Sequence, residues 1–369
     1  MRGNANRSSS LRVGAVRLRA VLSAAVVVCA VTAVLPGAAV AGTAGVSTVG
    51  VERISVAPDG TQGDGDSVGA SITPDGRHVV FSSSAVNLAP GTTTGGDKAF
   101  VRDRQTGQTQ QIGHLSLLAP PAISDDGRYV AYPVPWYHNV RIRQYKVSTG
   151  GTASTNCLAY SCDQPVFNAT GRYIALAVRQ SSVVQRVEVH DDSTGVRETV
   201  ATLGHAQAPK PSLSGDARYV AYQDAATQDV FVRDRTGGTT TGPVEGPSVA
   251  AALVQLSDDG SKVVYLSGTD TYVHDVASGT AQLVPNVKGV AIDPTGRYLL
   301  YAPTGTTGPS LTLRDLQTGT DEIVSDQPAS ARTDAVSSGG REVVFQSAAT
   351  DIVPGDTNGK SDLFVRTLY

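Results

Sequence analysis

Ile123-Ser124-Asp125-Asp126-Gly127-Arg128-Tyr129-Val130-Ala131-Tyr132 reads as a β-hairpin. Two short apolar runs flank an Asp-Gly pair, which supplies the positive φ of a tight turn. The phrase recurs. Six further copies begin at Ile72, Phe167, Leu213, Leu256, Ile292 and Val336, and the turn position falls at 76, 127, 171, 217, 260, 296 and 340. The spacing is about 44 residues, the length of one propeller blade. A second hairpin follows in most units. Its first strand ends in Asp103, Asp191, Asp234, Asp275 or Asp315, and a glycine stands four residues later, at 107, 195, 238, 279 and 319. That Asp can bond the turn backbone while the glycine takes the left-handed position. Each unit therefore holds four short strands.

Unit seven stops after three strands, at Phe364-Val365-Arg366-Thr367-Leu368-Tyr369, and a spare strand, 51–56, precedes unit one. Pairing that strand with the last unit closes a ring and leaves no open edge. The expectation is an all-β, seven-bladed β-propeller of four-stranded blades over residues 51–369, closed by the N-terminal strand, with 42–50 a flexible leader.

The hydrophobic-Ser-(Pro/Asp)-Asp-Gly-Arg-Tyr-hydrophobic-Ala-(Phe/Tyr) phrase, followed by Val-Phe-Val-Arg-Asp-Arg-x-Thr-Gly, resembles the TolB-like, WD-repeat-like propeller repeat. The resemblance spans nearly all of the chain after residue 50. It implies a propeller and is poor in functional detail. TolB itself is a periplasmic protein-interaction module, and prolyl-oligopeptidase relatives carry a hydrolase domain beside such a propeller. About nine residues separate the expected cleavage site from the first strand, so the domain that precedes the TolB propeller is expected to be absent, and the propeller leaves no residues over for a hydrolase domain.

Residues 1–41 read as a secretory signal peptide: five arginines and no acid by residue 19, an apolar run from Ala20 to Leu35, then Ala39-Val40-Ala41. The protein is expected to be secreted by a Sec-type route. Removing this segment makes the chain five charges more negative than its whole-chain value of -3. An acidic body argues against a nucleic-acid partner, and no later stretch is apolar enough to insert in a membrane. In an oxidising compartment Cys157 and Cys162 are expected to form a local disulfide.

Chemistry is harder to find. Gly65-Asp66-Ser67-Val68-Gly69 matches a nucleophile pattern but lacks the strand-turn-helix context that pattern needs. The six histidines fall at no metal-motif spacing. The arginine after the turn in most units reads as a solvated hairpin position. Asp356, Asn358 and Asp362 place oxygen donors at the first, third and seventh positions of a loop, a short calcium pattern lacking most of its donors; no other cofactor is expected. Long inserts at 57–67, 82–98, 133–139, 153–165 and 347–361 share one face, where recognition concentrates. Trp136, Tyr137 and His138, set among prolines, are the candidate ligand-binding residues there. The leading expectation is a monomeric, non-enzymatic propeller that binds a protein, peptide or glycan of the cell exterior by the long-loop face of blades seven, one, two and three. The alternative is a hydrolase or lyase with a metal- or carboxylate-based site at the mouth of the central channel. That alternative requires acids or histidines clustered on inner strands, and no such cluster is visible along the sequence.

Overall fold

The computed structural model describes residues 50–368 apart from 116–119, 138, 156–159, 206, 247–248 and 306–308. The expected signal peptide and all of the leader but Gly50 lie outside the described residues, as do His138 and Cys157.

Seven antiparallel blades surround a central channel. Six are four-stranded sheets in sequential order. Their inner strands are Ser67–Ile72, Ala122–Ile123, Ser161–Phe167, Lys210–Leu213, Ala252–Leu256 and Val287–Ile292. Blade seven is built differently. Its three named strands run in the order Val51–Arg53, Asp362–Thr367, Glu342–Ser347. Its channel side is reduced to two bridges, Val336 with Val343 and Ser330 with Gln346. The closing strand is shorter than the expected 51–56. It pairs Val51 with Arg366 and Arg53 with Phe364, and two further backbone bonds, Ile54 N–H to the Leu363 carbonyl and Thr367 N–H to the Gly50 carbonyl, extend it.

The repeat phrase builds each turn from local hydrogen bonds. In blade two, Ser124 Oγ donates to Asp126, and Asp126 accepts the Arg128 N–H. Glycines hold the left-handed turn position in six units, and Ala217 takes it in blade four at φ 60°. Adjacent turns are then bonded around the ring: Asp126 N–H to Ala169, Ala169 N–H to Gly215, Gly215 N–H to Asp258, Asp259 N–H to Pro294 and Ser338 N–H to Pro74. This necklace fixes one end of the channel.

The arginine row is exposed, as expected of a hairpin position, and most of it is also paired. Arg77 donates through Nε and Nη2 to both oxygens of Asp103 (3.1 and 2.7 Å), and Arg172–Asp191, Arg218–Asp234 and Arg297–Asp315 repeat the geometry. Each pair fastens one hairpin to the next, and the planar fork explains why arginine is used. Blade five has Ser261 at the arginine position, and Lys262 reaches Asp275 instead. The same aspartates also accept turn N–H groups, as the sequence pattern implied: Asp103 accepts those of Gln105 and Thr106.

Between blades, apolar side chains fill the wedge. Blades one, six and seven share the largest core, with Phe81, Phe100, Phe345 and Phe364 fully buried or nearly so. Phe81 stacks on Phe100, and Phe345 meets Phe364 at a tilt, as cross-strand pairs.

Candidate active site in the central channel

The turn of the repeat phrase places one residue, two before the turn glycine, at the channel rim of each blade. Those residues are Pro74, Asp125, Ala169, Gly215, Asp258, Pro294 and Ser338. Proline, alanine, glycine and serine leave the rim open. Asp125 of blade two and Asp258 of blade five send carboxylates into it, and both line the channel. Burial, then the nearby Asp334 and Asp126, push the Asp125 carboxyl up to about 7. Burial, then Asp125 itself, raises Asp258 well above the carboxylate range. Two carboxyls that share a poorly hydrated space cannot both ionise readily.

Deeper in, Gln255 spans the channel from blade five to blade seven. Its Nε2 donates to Asp334 Oδ1 (2.8 Å), and its Oε1 accepts the N–H groups of Ile292 and Asp334 (3.2 and 3.3 Å). The Asp334 carbonyl accepts the Ile72 N–H, so this one segment joins blades seven, five and one. Burial raises the Asp334 carboxyl, while Arg332 and Lys210 act in the opposite direction.

Lys210 opens the inner strand of blade four, and Arg332 lies two residues before Asp334. Both therefore stand toward the long-loop end, opposite the turn necklace. Lys210 Nζ donates to the Leu253 carbonyl (2.8 Å) and Arg332 Nη1 to the Gly69 carbonyl (3.4 Å). Burial, then the charge of Arg332, lowers Lys210 to about 8. Burial lowers Arg332 too, but a guanidinium stays charged. The channel thus runs from two cations at one end, through the Gln255–Asp334 crossbar, to two protonatable acids at the other. Its cavity of about 50 Å³ holds a few waters.

The cluster that the sequence left invisible is therefore present, built from carboxyls, a lysine and an arginine. Histidine takes no part. His190 pairs with Glu188 (2.9 Å) and His205 with Asp224 (2.7 Å), and none of the described histidines lines the channel. Ser67 is buried and bonds Ser83 Oγ (2.9 Å), with no acid–base partner.

The other expected site residues lie elsewhere. Trp136 and Tyr137 are exposed by 49% and 89% and meet edge to face at 5.5 Å. Their segment is not an irregular insert. It is the tip of a regular hairpin, Tyr129–Trp136 with Asn139–Lys146. Asp356 and Asp362 face Arg53, whose guanidinium lies 3.1 Å from Asp356 and 3.7 Å from Asp362, and Asn358 bonds Asp362 rather than Arg53. Asp362 also accepts from Ser55, while Asp356 Oδ1 is buried without a hydrogen-bond partner. Cys162 is fully buried at the start of the inner strand of blade three.

No family model matches the chain, and no curated protein matches it in sequence. Solved structures do. An oligogalacturonate lyase in complex with manganese superposes with a TM-score of 0.63 at 15% identity, covering 88% of this chain and 94% of that one. The oligogalacturonate lyase of Vibrio parahaemolyticus gives 0.62 at 14%, covering 87% and 97%. TolB from Acinetobacter baumannii gives 0.47 at 14%, covering 70% and 62%. At these identities the likeness establishes the fold, a seven-bladed propeller. It also corrects the expectation of a non-enzymatic scaffold. Two of the structures that match over nearly their whole length are lyases by title, and the feature whose absence favoured a scaffold, an ionisable cluster in the channel, is present.

Proposed function

We propose that the protein is a lyase that cleaves uronate-containing oligosaccharides at the long-loop mouth of the channel. The observation that carries this reading is the pairing of Lys210, lowered toward neutrality, with Arg332, a permanent cation, at one opening of a channel too narrow for a sugar ring. Perturbed groups gathered in a cleft mark functional sites, and an acidic sugar is the ligand those two charges suit. Oligogalacturonate, after which the two similar lyases are named, belongs to that class.

In this reading Arg332 compensates the uronate carboxylate, which makes the adjacent carbon acid enough to lose its proton. The neutral amine of Lys210 takes that proton. The C–H electron pair forms a carbon–carbon double bond, the neighbouring glycosidic C–O bond breaks, and the leaving oxygen takes a proton from water. Asp334, held by Gln255, fixes the two cations by its charge. The channel residues do not fit a manganese ion. Among the described residues no three His, Cys, Asp or Glu side chains are placed to hold a metal, and two cations already face the carboxyls. No step is routed through a metal.

A TolB-like repeat, export directed by residues 1–41 and a Cys157–Cys162 disulfide complete the proposal, since a polymeric substrate lies outside the cell. The test is turnover of oligogalacturonates, followed by the ultraviolet absorbance of the new double bond. Wild type is expected to accumulate product, and Lys210→Met to lose about 10²–10⁴-fold, the worth of a general base. Circular dichroism of the variant separates this loss from misfolding. Absence of product from every uronate oligosaccharide, or a folded Lys210→Met protein as fast as wild type, overturns the reading.

A further inference from the structure

The hairpin of blade two outgrows its blade. Its strands, Tyr129–Trp136 and Asn139–Lys146, are eight residues each, whereas the inner strand beside them is only Ala122–Ile123 and pairs no further than Ala131. Pro133 and Pro135 fall in the part that has left the inner strand behind, where no ladder bond is lost by lacking an N–H. The base is wedged: Ile142 packs against Cys162 and Phe167 of blade three, and the Val140 N–H donates to Ser161 Oγ (3.1 Å). The tip is a post that ends in Trp136 and Tyr137, with Tyr137 at φ 54° in the turn. It rises on the face where Lys210 and Arg332 open the channel.

The post is also charged. Residues 129–146 contain Arg141, Arg143 and Lys146 and no acid, in a chain of net charge -3. The register puts Trp136 opposite Asn139 and Val134 opposite Arg141, so ring and guanidinium share one side of the hairpin. On blade three, Tyr160 (62% exposed) and the exposed Arg179 stand together, joined by a Tyr160 N–H to Arg179 carbonyl bond. Flat exposed rings beside guanidinium groups suit a chain with apolar sugar faces and regularly spaced carboxylates.

We propose that the blade-two post is a docking platform for an acidic polysaccharide chain, stacking a sugar on Trp136 and Tyr137 while the neighbouring arginines hold its carboxylates, and so delivering the chain to the channel mouth. This inference rests on the lyase reading for the identity of the chain. The two are separable, because Trp136 is the protein's only tryptophan. Its fluorescence reports the platform and product absorbance reports the channel.

The experiment titrates wild-type and Lys210→Met protein with polygalacturonate fragments and with a neutral glucan of matching length. Emission is expected to shift saturably with the uronate alone. Tyr137→Ala is expected to weaken that binding about tenfold, as truncation of an aromatic anchor does, with an unchanged melting temperature because its ring is exposed. Unmoved emission in the presence of turnover overturns the platform and leaves the lyase. A saturable shift without turnover supports the platform and removes the lyase. An equal response to the neutral glucan overturns the acidic specificity.

Discussion

Gln255 shows how one side chain holds the channel together. It is 4% exposed, and its amide uses both ends, one on the Asp334 carboxyl and one on two backbone N–H groups. Leucine has nearly the same shape but would leave all three partners unsatisfied. Each orphaned buried group costs about 1–3 kcal/mol, some of it recovered where water enters the channel. Gln255→Leu is therefore expected to lose about 2–4 kcal/mol in equilibrium urea unfolding; a loss under about 1 kcal/mol would mean that the crossbar is incidental. The residue was illegible in the sequence for a physical reason. The repeat made the fold readable because seven units obey the same turn and packing rules. The same place in other blades holds Ser71, Ala122, Val166, Ser212, Ala291 and Ala335. Gln255 and Asp334 are departures from the repeat, whereas Asp125 and Asp258 stand at the variable turn position two residues before the glycine. A reading that seeks what the units share averages such departures away, and only the closed ring brings residues 125, 210, 255 and 334 to one axis. The signal available was an aspartate at that turn position in blades two and five, where the other units carry proline, alanine, glycine or serine.

The closing strand is an element whose role could be read in advance, because an incomplete last unit and a spare first strand imply each other. Its energetic anchor could not. Three paired residues make a weak strand, and Arg53 strengthens it by inserting between two buried acids, with side-chain exposures of 9% for Arg53, 3% for Asp356 and none for Asp362. The oxygen-rich spacing at 356–362 suits calcium and a guanidinium alike, because both ask for similar acceptors. Loops 57–67 and 347–361 then tie across the seam, through Asn358 to the Gly63 carbonyl and the Ser361 N–H to Asp66. Arg53→Ala leaves two buried carboxylates without their cation, and breaking a buried pair in this way costs about 3–5 kcal/mol. The variant is expected to unfold at correspondingly lower denaturant, whereas millimolar calcium or a chelator leaves the wild-type midpoint unchanged. A calcium-dependent rise in the wild-type midpoint would reinstate the metal and displace Arg53 from this role.

At the scale of the whole ring, two sets of aspartates respond to pH in opposite directions. The turn aspartates Asp103, Asp191, Asp234, Asp275 and Asp315 are all held below the carboxylate range, chiefly by a paired arginine or lysine, with Asp103 and Asp234 at about 2. Below about pH 4 the unfolded chain takes up these protons while the folded ring does not, so stability falls as acid is added. The channel acids reverse the sign. Asp125, at about 7, and Asp258, raised well above the carboxylate range, stay protonated when the unfolded chain has already ionised. The folded state then binds more protons, and stability falls as pH rises from about 4 through 7. Lys210, lowered to about 8, titrates beyond that window. The melting temperature is expected to peak in mildly acid solution and to drop by a few degrees on the way to neutrality. Asp125→Asn, which cannot ionise, is expected to flatten the neutral side of that profile while leaving the acid side intact. Asp315→Asn should act on the acid side alone, making it less steep while Asp103, Asp191, Asp234 and Asp275 keep part of the slope. Melting curves at a series of pH values decide it: an Asp125→Asn profile that parallels wild type from about pH 4 to 7 would show that this carboxyl is ionised in the folded ring.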